Sequence, residues 1–170
     1  SRPTHMERLG NRILFQARSF GGAELWSTDG TATGTRLVRD INPVGSSNPR
    51  YLLTNSAGTE CLFIAEDRNG THLWKTDGTA AGTAMIRDLH PGSSNIASLV
   101  STGATAYFVA RAEGSTMAEI WRTQGTDGTT AMIDNVDGDA YLYADGEQMI
   151  AVTGGIGDGY VVSFLNGAGN

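Results

Sequence analysis

The chain has 170 residues, of which 39% are hydrophobic and 18% charged, with a formal net charge of -6 and a pI near 4.9. An acidic chain without clustered Lys and Arg argues against a sequence-independent grip on nucleic acid. Apolar runs no longer than Cys61-Leu62-Phe63-Ile64-Ala65 fall far short of a membrane-spanning helix, and a lone cysteine excludes an intramolecular disulfide.

In chain order, the first strong element is Ile13-Leu14-Phe15. It is followed by Glu24-Leu25-Trp26-Ser27-Thr28-Asp29-Gly30-Thr31 and then by Thr35-Arg36-Leu37-Val38-Arg39-Asp40-Ile41. A second copy opens on Tyr51-Leu52-Leu53, continues through Cys61-Leu62-Phe63-Ile64 and repeats the tryptophan segment as His72-Leu73-Trp74-Lys75-Thr76-Asp77-Gly78-Thr79. It ends on Thr83-Ala84-Met85-Ile86-Arg87-Asp88-Leu89. The third copy has Leu99-Val100, Tyr107-Phe108-Val109, Glu119-Ile120-Trp121-Arg122-Thr123-Gln124-Gly125-Thr126 and Thr130-Ala131-Met132-Ile133-Asp134-Asn135-Val136. A fourth keeps Tyr141-Leu142-Tyr143 and Met149-Ile150-Ala151-Val152, but Val162 stands where the tryptophan would be.

The tryptophans lie 48 and 47 residues apart. Such a period means that one supersecondary unit is copied and stacked. Each unit holds four short segments rich in β-branched and aromatic residues and bounded by Gly, Asn, Asp and Pro, and no window has apolar residues at helical spacing. The expected fold is all-β, a β-propeller-like array of four-stranded antiparallel blades, about four in number, with the last incomplete. The second strand of each unit is continuously apolar, as burial of both faces requires. Residues 1–170 form a single propeller domain or propeller segment, with repeats at approximately 1–48, 49–96, 97–139 and a degenerate 140–170. Three whole units and about three quarters of another favour a segment of a larger propeller over a small closed ring.

The motif Glu24 to Thr35, with Leu37-Val38-Arg39-Asp40-Ile41-Asn42-Pro43 after it, resembles the bacterial ELWxxDGT repeat of large secreted or surface proteins. The second copy matches nearly as well, the third departs at Gln124 and Asn135, and the fourth barely matches. The resemblance implies a propeller-like β architecture and an exported or cell-surface protein, and supplies no catalytic residues.

The structural signature of the repeat is Trp26, Asp29, Gly30, Trp74, Asp77, Gly78, Trp121 and Gly125. In Thr28-Asp29-Gly30-Thr31 the Asp accepts bonds from amides two or three residues on, and Gly supplies the positive φ of a tight turn. The Thr31 and Thr35 hydroxyls add side-chain-to-backbone bonds. Gln124 supports a turn staple over a metal ligand, since an amide oxygen still accepts these bonds. The tryptophans are read as wedges between neighbouring blades, against the alternative of exposed platforms for sugars. Cys61 shares its repeat position with Ile13 and Ala106, so it is read as a small buried hydrophobe.

Asn135-Val136-Asp137-Gly138-Asp139 places oxygen ligands at alternating positions, as calcium loops do, although it lacks the later bidentate Glu. Asn135, Asp137 and Asp139 are therefore the candidate Ca2+ ligands, with Glu66-Asp67-Arg68-Asn69-Gly70 a second candidate. No nucleophile elbow or zinc spacing occurs, and His5, His72 and His90 occupy unrelated repeat positions. The glycine-rich Gly154-Gly155-Ile156-Gly157-Asp158-Gly159 reads as a hairpin loop rather than a phosphate cradle. The functional expectation is a non-catalytic structural, adhesive or ligand-binding module, with glycans or other surface proteins as partners. The alternatives are the propeller portion of a secreted polysaccharide-processing enzyme, and a self-assembling homo-oligomer completed by a strand from a neighbour.

Overall fold

The computed structural model describes residues 3–90, 92–146, 148–155 and 159–166. The described residues form fifteen strands and one short 3-10 turn, all in antiparallel sheets. The first sheet is β1 (Thr4–Leu9), β2 (Arg12–Ser19), β3 (Gly22–Thr28) and β4 (Arg36–Arg39). The second is β5 (Arg50–Thr54), β6 (Cys61–Asp67), β7 (Gly70–Thr76) and β8 (Ala84–Arg87). The third is β9 (Ser98–Thr102), β10 (Thr105–Ala110), β11 (Met117–Thr123) and β12 (Ala131–Asp137), with the 3-10 turn Asp127–Thr129 before β12. The fourth has three described strands, β13 (Asp139–Asp145), β14 (Gln148–Gly155) and β15 (Gly159–Asn166).

In every sheet the strands lie side by side in chain order. The connections that allow this are short and carry glycines at positive φ, as at Gly10 (59°) between β1 and β2 and Gly103 (57°) between β9 and β10. The tryptophan strands hold the same register in the first three sheets. Trp26 faces Phe15, Trp74 faces Phe63 and Trp121 faces Phe108 across the ladder; in the fourth sheet the equivalent pair, counted from the first hairpin, is Ser163 and Ala151, so Ser163 and not Val162 holds the tryptophan position. Ile13, Cys61 and Ala106 likewise pair with Thr28, Thr76 and Thr123, so the repeat positions read from the sequence are the positions in space.

The chain divides into two compact units, the first running to Asp88 and the second starting at Leu89. In the first unit the core joins Leu14 and Leu25 of the first sheet to Cys61, Phe63, Ala65 and Trp74 of the second. Register puts Leu14 and Leu25 on the face opposite Phe15 and Trp26, and puts Phe63 and Trp74 on one face of their own sheet. In the second unit Tyr107, Val109, Ala118 and Ile120 of the third sheet meet Ala140, Leu142, Met149 and Ala151 of the fourth. Ile120 precedes Trp121, as Leu25 precedes Trp26. The face without the tryptophan thus packs on the following sheet in both units. The middle strands β6 and β10 are buried residue after residue, matching their unbroken apolar sequence.

The loop residues 156–158 of the expected glycine-rich hairpin, and the chain beyond Asn166, lie outside the described residues.

Candidate functional site

The repeated turn is built from its own side chains. Asp29 Oδ1 accepts from the Thr31 amide (3.0 Å) and hydroxyl (2.7 Å), and the Thr31 hydroxyl accepts from the Gly34 amide (2.9 Å). The second copy repeats this, with Asp77 Oδ1 accepting from the Thr79 amide (2.8 Å) and hydroxyl (2.6 Å) and the Thr79 hydroxyl accepting from the Gly82 amide (3.0 Å). The Thr31 and Thr79 hydroxyls, more than any other group, hold the two carboxyls below their ordinary value. Gly30 and Gly78 take φ of 92° and 85°, values that L side chains rarely adopt. Arg12 also approaches Asp29, 3.8 Å from its Oδ2, and donates to the carbonyl of Gly34 and to Ser27 Oγ (2.6 Å).

The third copy solves the same turn differently, which corrects the expectation for Gln124. The Gln124 side chain does not take the acceptor role of Asp29. Its longer side chain reaches out, and Nε2 donates to Thr105 Oγ1 at 3.5 Å. The acceptor is instead Thr129 Oγ1, which receives the Gln124 amide at 3.1 Å and the Thr126 amide at 3.3 Å. Thr129 stands at the repeat position of Gly34 and Gly82. A Cβ on Gly34 would lie 1.9 Å from Asp29 Oδ1, and one on Gly82 would lie 2.1 Å from Asp77 Oδ1. A carboxylate with glycine and a glutamine with threonine are therefore two alternative fillings of one space.

The tryptophans share a register but not an environment. Trp74 is 6% exposed and belongs to the core of the first unit, while Trp26 and Trp121 are half-buried. The indole nitrogens of Trp26 and Trp74 are buried without a hydrogen bond among the described residues. Trp121 instead donates to Glu119 Oε2 at 2.9 Å and stacks on Phe108, with centroids 6.2 Å apart and planes at 12°.

The position two before each tryptophan is where the copies diverge in chemistry. Glu24 is buried, with Oε1 accepting the Ser47 amide (3.1 Å) and Oε2 accepting the Ser47 hydroxyl (2.5 Å). Burial pushes its carboxyl up from the ordinary value. His72 is 1% exposed, with no hydrogen bond on either ring nitrogen among the described residues. Its nearest charges are Asp67 Oδ1, 3.6 Å from Nε2, and Asp88 Oδ1, 4.0 Å from Nδ1. Glu119 is the accessible member, and its Oε2 is 2.8 Å from His90 Nε2 as well as bonded to Trp121. A carboxylate that keeps some solvent access between an imidazole and an indole can accept and exchange hydrogen bonds beside an aromatic surface. Sequence reading passed over this group because His90 lies 29 residues from Glu119 and its repeat counterpart is Asn42.

The candidate calcium ligands are spread over two strands. Asn135 and Asp137 are exposed on β12 and Asp139 opens β13, with Gly138 at φ 87° between them. The Asp139 carboxylate receives Arg111 NH2 at 3.0 Å, and the same nitrogen donates to the Gly138 carbonyl at 2.6 Å. In the second candidate loop, Glu66 is bonded to Arg50 and Asn48, and Asp67 caps the Asn69 amide at 2.7 Å. Among the described residues no group of three or more His, Cys, Asp and Glu side chains is placed to hold a metal ion. Cys61 is fully buried, and burial pushes its thiol up to about 12, so the thiolate that nucleophilic or ligand chemistry needs is not formed.

The chain matches no protein-family model and no curated protein. It is similar in fold to solved structures. TolB from Acinetobacter baumannii is 14% identical with a TM-score of 0.60, over 94% of this chain and 39% of that one. A putative TolB from Agrobacterium tumefaciens is 14% identical with a TM-score of 0.63, over 94% of this chain and 59% of that one. Puromycin hydrolase is 14% identical with a TM-score of 0.66, over 98% of this chain and 27% of that one. The chain thus spans between 27% and 59% of the length of these proteins. Among the described residues no helix is long and apolar enough to cross a membrane.

Proposed function

We propose that the four sheets are blades of a β-propeller, and that the chain is part of an exported, ELWxxDGT-type repeat protein working as a structural, adhesive or ligand-binding module without a catalytic centre. One observation carries this reading. Four antiparallel meanders follow one another in chain order, and within each unit the face without the tryptophan is laid on the next sheet. The fold likeness to TolB supports it. Apart from the half-buried Trp26 and Trp121, the signature residues are committed to turns and cores, so ligand contact falls to positions where the copies differ, such as Glu119 and His90 beside Trp121. Glycans and other surface proteins are the partners such a surface suits. The experiment is a glycan and peptide binding screen, run with an assay for product release. Binding without release, weakened by Glu119→Gln, supports the module; release of oligosaccharide or peptide fragments overturns it.

A second reading is favoured by the likeness to puromycin hydrolase and to acylaminoacyl peptidase. In it the chain is the propeller portion of a larger secreted hydrolase, polysaccharide-processing enzymes included. Joining the chain to its natural flanking sequence and assaying hydrolysis separates the two.

A further inference from the structure

In the third copy a single oxygen, Glu119 Oε2, joins the Trp121 indole N–H at 2.9 Å to His90 Nε2 at 2.8 Å. The second copy repeats the positions of this junction with other residues. His72 stands in the place of Glu119, each facing an alanine across the ladder, Ala65 or Ala110. Trp74 stands in the place of Trp121 and Asn42 in that of His90. All three belong to the first compact unit. The backbone brings Asn42 to this place: its neighbour Ile41 shares a core with Ala65 and Trp74, and further along the same loop the Ser47 carbonyl accepts the Glu66 amide at 2.7 Å.

The positions carry over, but the bonds do not. Asn42 Oδ1, both ring nitrogens of His72 and Trp74 Nε1 are buried with no hydrogen bond to a described residue. A buried donor or acceptor left unmade costs more than an ordinary hydrogen bond contributes, so four such atoms on three residues point to a shared partner. The indole only donates, the amide oxygen only accepts, and a neutral imidazole does one of each. A metal ion cannot accept the indole proton, and an anion cannot donate to Asn42. An anion would also meet the carboxylates of Asp67 and Asp88, which lie 3.6 and 4.0 Å from the ring nitrogens, beyond direct bonding distance. A water molecule accepts and donates at once.

We propose that one internal water binds at the second-copy junction, in the place that the Glu119 carboxylate oxygen takes in the third. It accepts from Trp74 Nε1 and donates to Asn42 Oδ1 and to the unprotonated ring nitrogen of His72. The other ring nitrogen keeps its proton and faces an aspartate. About three bonds to otherwise unpaired groups are what a buried water ordinarily makes. The water ties β7 of the second sheet to the loop that leaves the first, as Glu119 ties β11 to the segment at His90. It involves no ligand at Glu119, so it can fail while the binding reading stands.

The test is a rotating-frame NMR experiment on the 170-residue chain, in which dipolar contact with water and proton exchange with water give cross-peaks of opposite sign. Trp26→Phe and Trp121→Phe, both at half-buried rings, assign the indole signals and leave that of Trp74 by elimination. The Trp74 indole proton is expected to show a dipolar cross-peak to water. His72→Gln places an uncharged oxygen at the reach of the glutamate, displaces the water and should abolish that cross-peak. Asn42→Ala, at a half-buried loop position, removes one of the water's bonds and should weaken it. Thermal melts verify that each variant folds, and Asn42→Ala carries the test if His72→Gln does not. A folded wild-type chain without the Trp74 cross-peak overturns the proposal. So does a cross-peak that persists undiminished in either folded variant.

Discussion

Thr76 and Thr83 meet hydroxyl to hydroxyl at 2.7 Å, both fully buried. The same clasp joins Thr28 to Thr35 at 2.6 Å and Thr123 to Thr130 at 2.8 Å, so it persists in the third copy, where the turn aspartate is gone. In each case the first hydroxyl also accepts the amide of the turn glycine, Gly30, Gly78 or Gly125, and the second donates to the carbonyl of Thr31, Thr79 or Thr126. The clasp closes the end of the hairpin between the third and fourth strands of each sheet.

Thr83→Val should therefore cost about 1–3 kcal/mol, because it strips the buried Thr76 hydroxyl of its partner and frees the partly buried Thr79 carbonyl. Thr35→Val removes the same bond at an exposed site, where water replaces it, and should cost less than about 1 kcal/mol. Urea unfolding of the two variants measures the difference; equal effects would show that the clasp is not stabilised by its burial.

Gly82→Thr should destabilise the second turn by about 1–3 kcal/mol, through overlap of the new side chain with the Asp77 carboxylate. The double change Asp77→Gln with Gly82→Thr recreates the third-copy arrangement and should recover most of the loss. A double-mutant cycle in which the two effects simply add would contradict the exchange seen between copies.

Trp74→Ala should cost about 3–5 kcal/mol, the usual range for emptying a buried aromatic site. Trp121→Ala should cost less, since that ring is already half-exposed. Thermal midpoints rank the two, and the reverse order would place the important core elsewhere.

The Asp77 carboxyl is held below its ordinary value of 3.8 in the folded chain. A depressed folded value means that its contribution is complete above pH 3.8 and is lost as pH falls through the lower, folded value. Asp77→Asn, which keeps an acceptor oxygen, should be nearly as stable as the parent at neutral pH but lose less on acidification. Asp77→Ala, which removes the acceptor, should be weaker at every pH by about 1 kcal/mol or less. Melting curves between neutral pH and the acid limb check both.

Glu24 should behave in the opposite sense. Burial raises its folded value above 4.5, against the lowering effect of the Ser47 bonds. Ionising it in the folded chain is therefore penalised, and its contribution declines as pH rises from 4.5 through the raised value. Glu24→Gln should remove that decline, so the parent loses stability relative to the variant over this interval. A constant difference between them across the interval would refute the account.

Much of the fold was legible because the period fixed equivalent positions before any contact was known. Ile13, Cys61 and Ala106 are aligned by counting from their strands, and all three face a clasp threonine across the ladder. The turn glycines were legible because only a positive φ explains a glycine repeated at that place. The clasp was not, since a hydroxyl seven residues from another gives no sign in sequence of meeting it. Nor was the role of Thr129, because the space it fills is defined by a side chain five residues away. The unequal burial of the three tryptophans depends on what lies over each sheet, which a pattern repeated within the chain cannot specify.

The two fillings of the turn also constrain how such repeats change over time. A copy that carries Asp29 with Gly34 cannot acquire threonine first, because the new side chain would collide with the carboxylate. It must give up the acid beforehand and pass through an intermediate in which the Thr31 amide loses its acceptor. The reverse journey, from Gln124 and Thr129, meets the same obstacle from the other side. Copies of one kind should then spread by duplication of whole repeats more readily than by point change, which leaves sequence at these two positions as a record of descent among the copies.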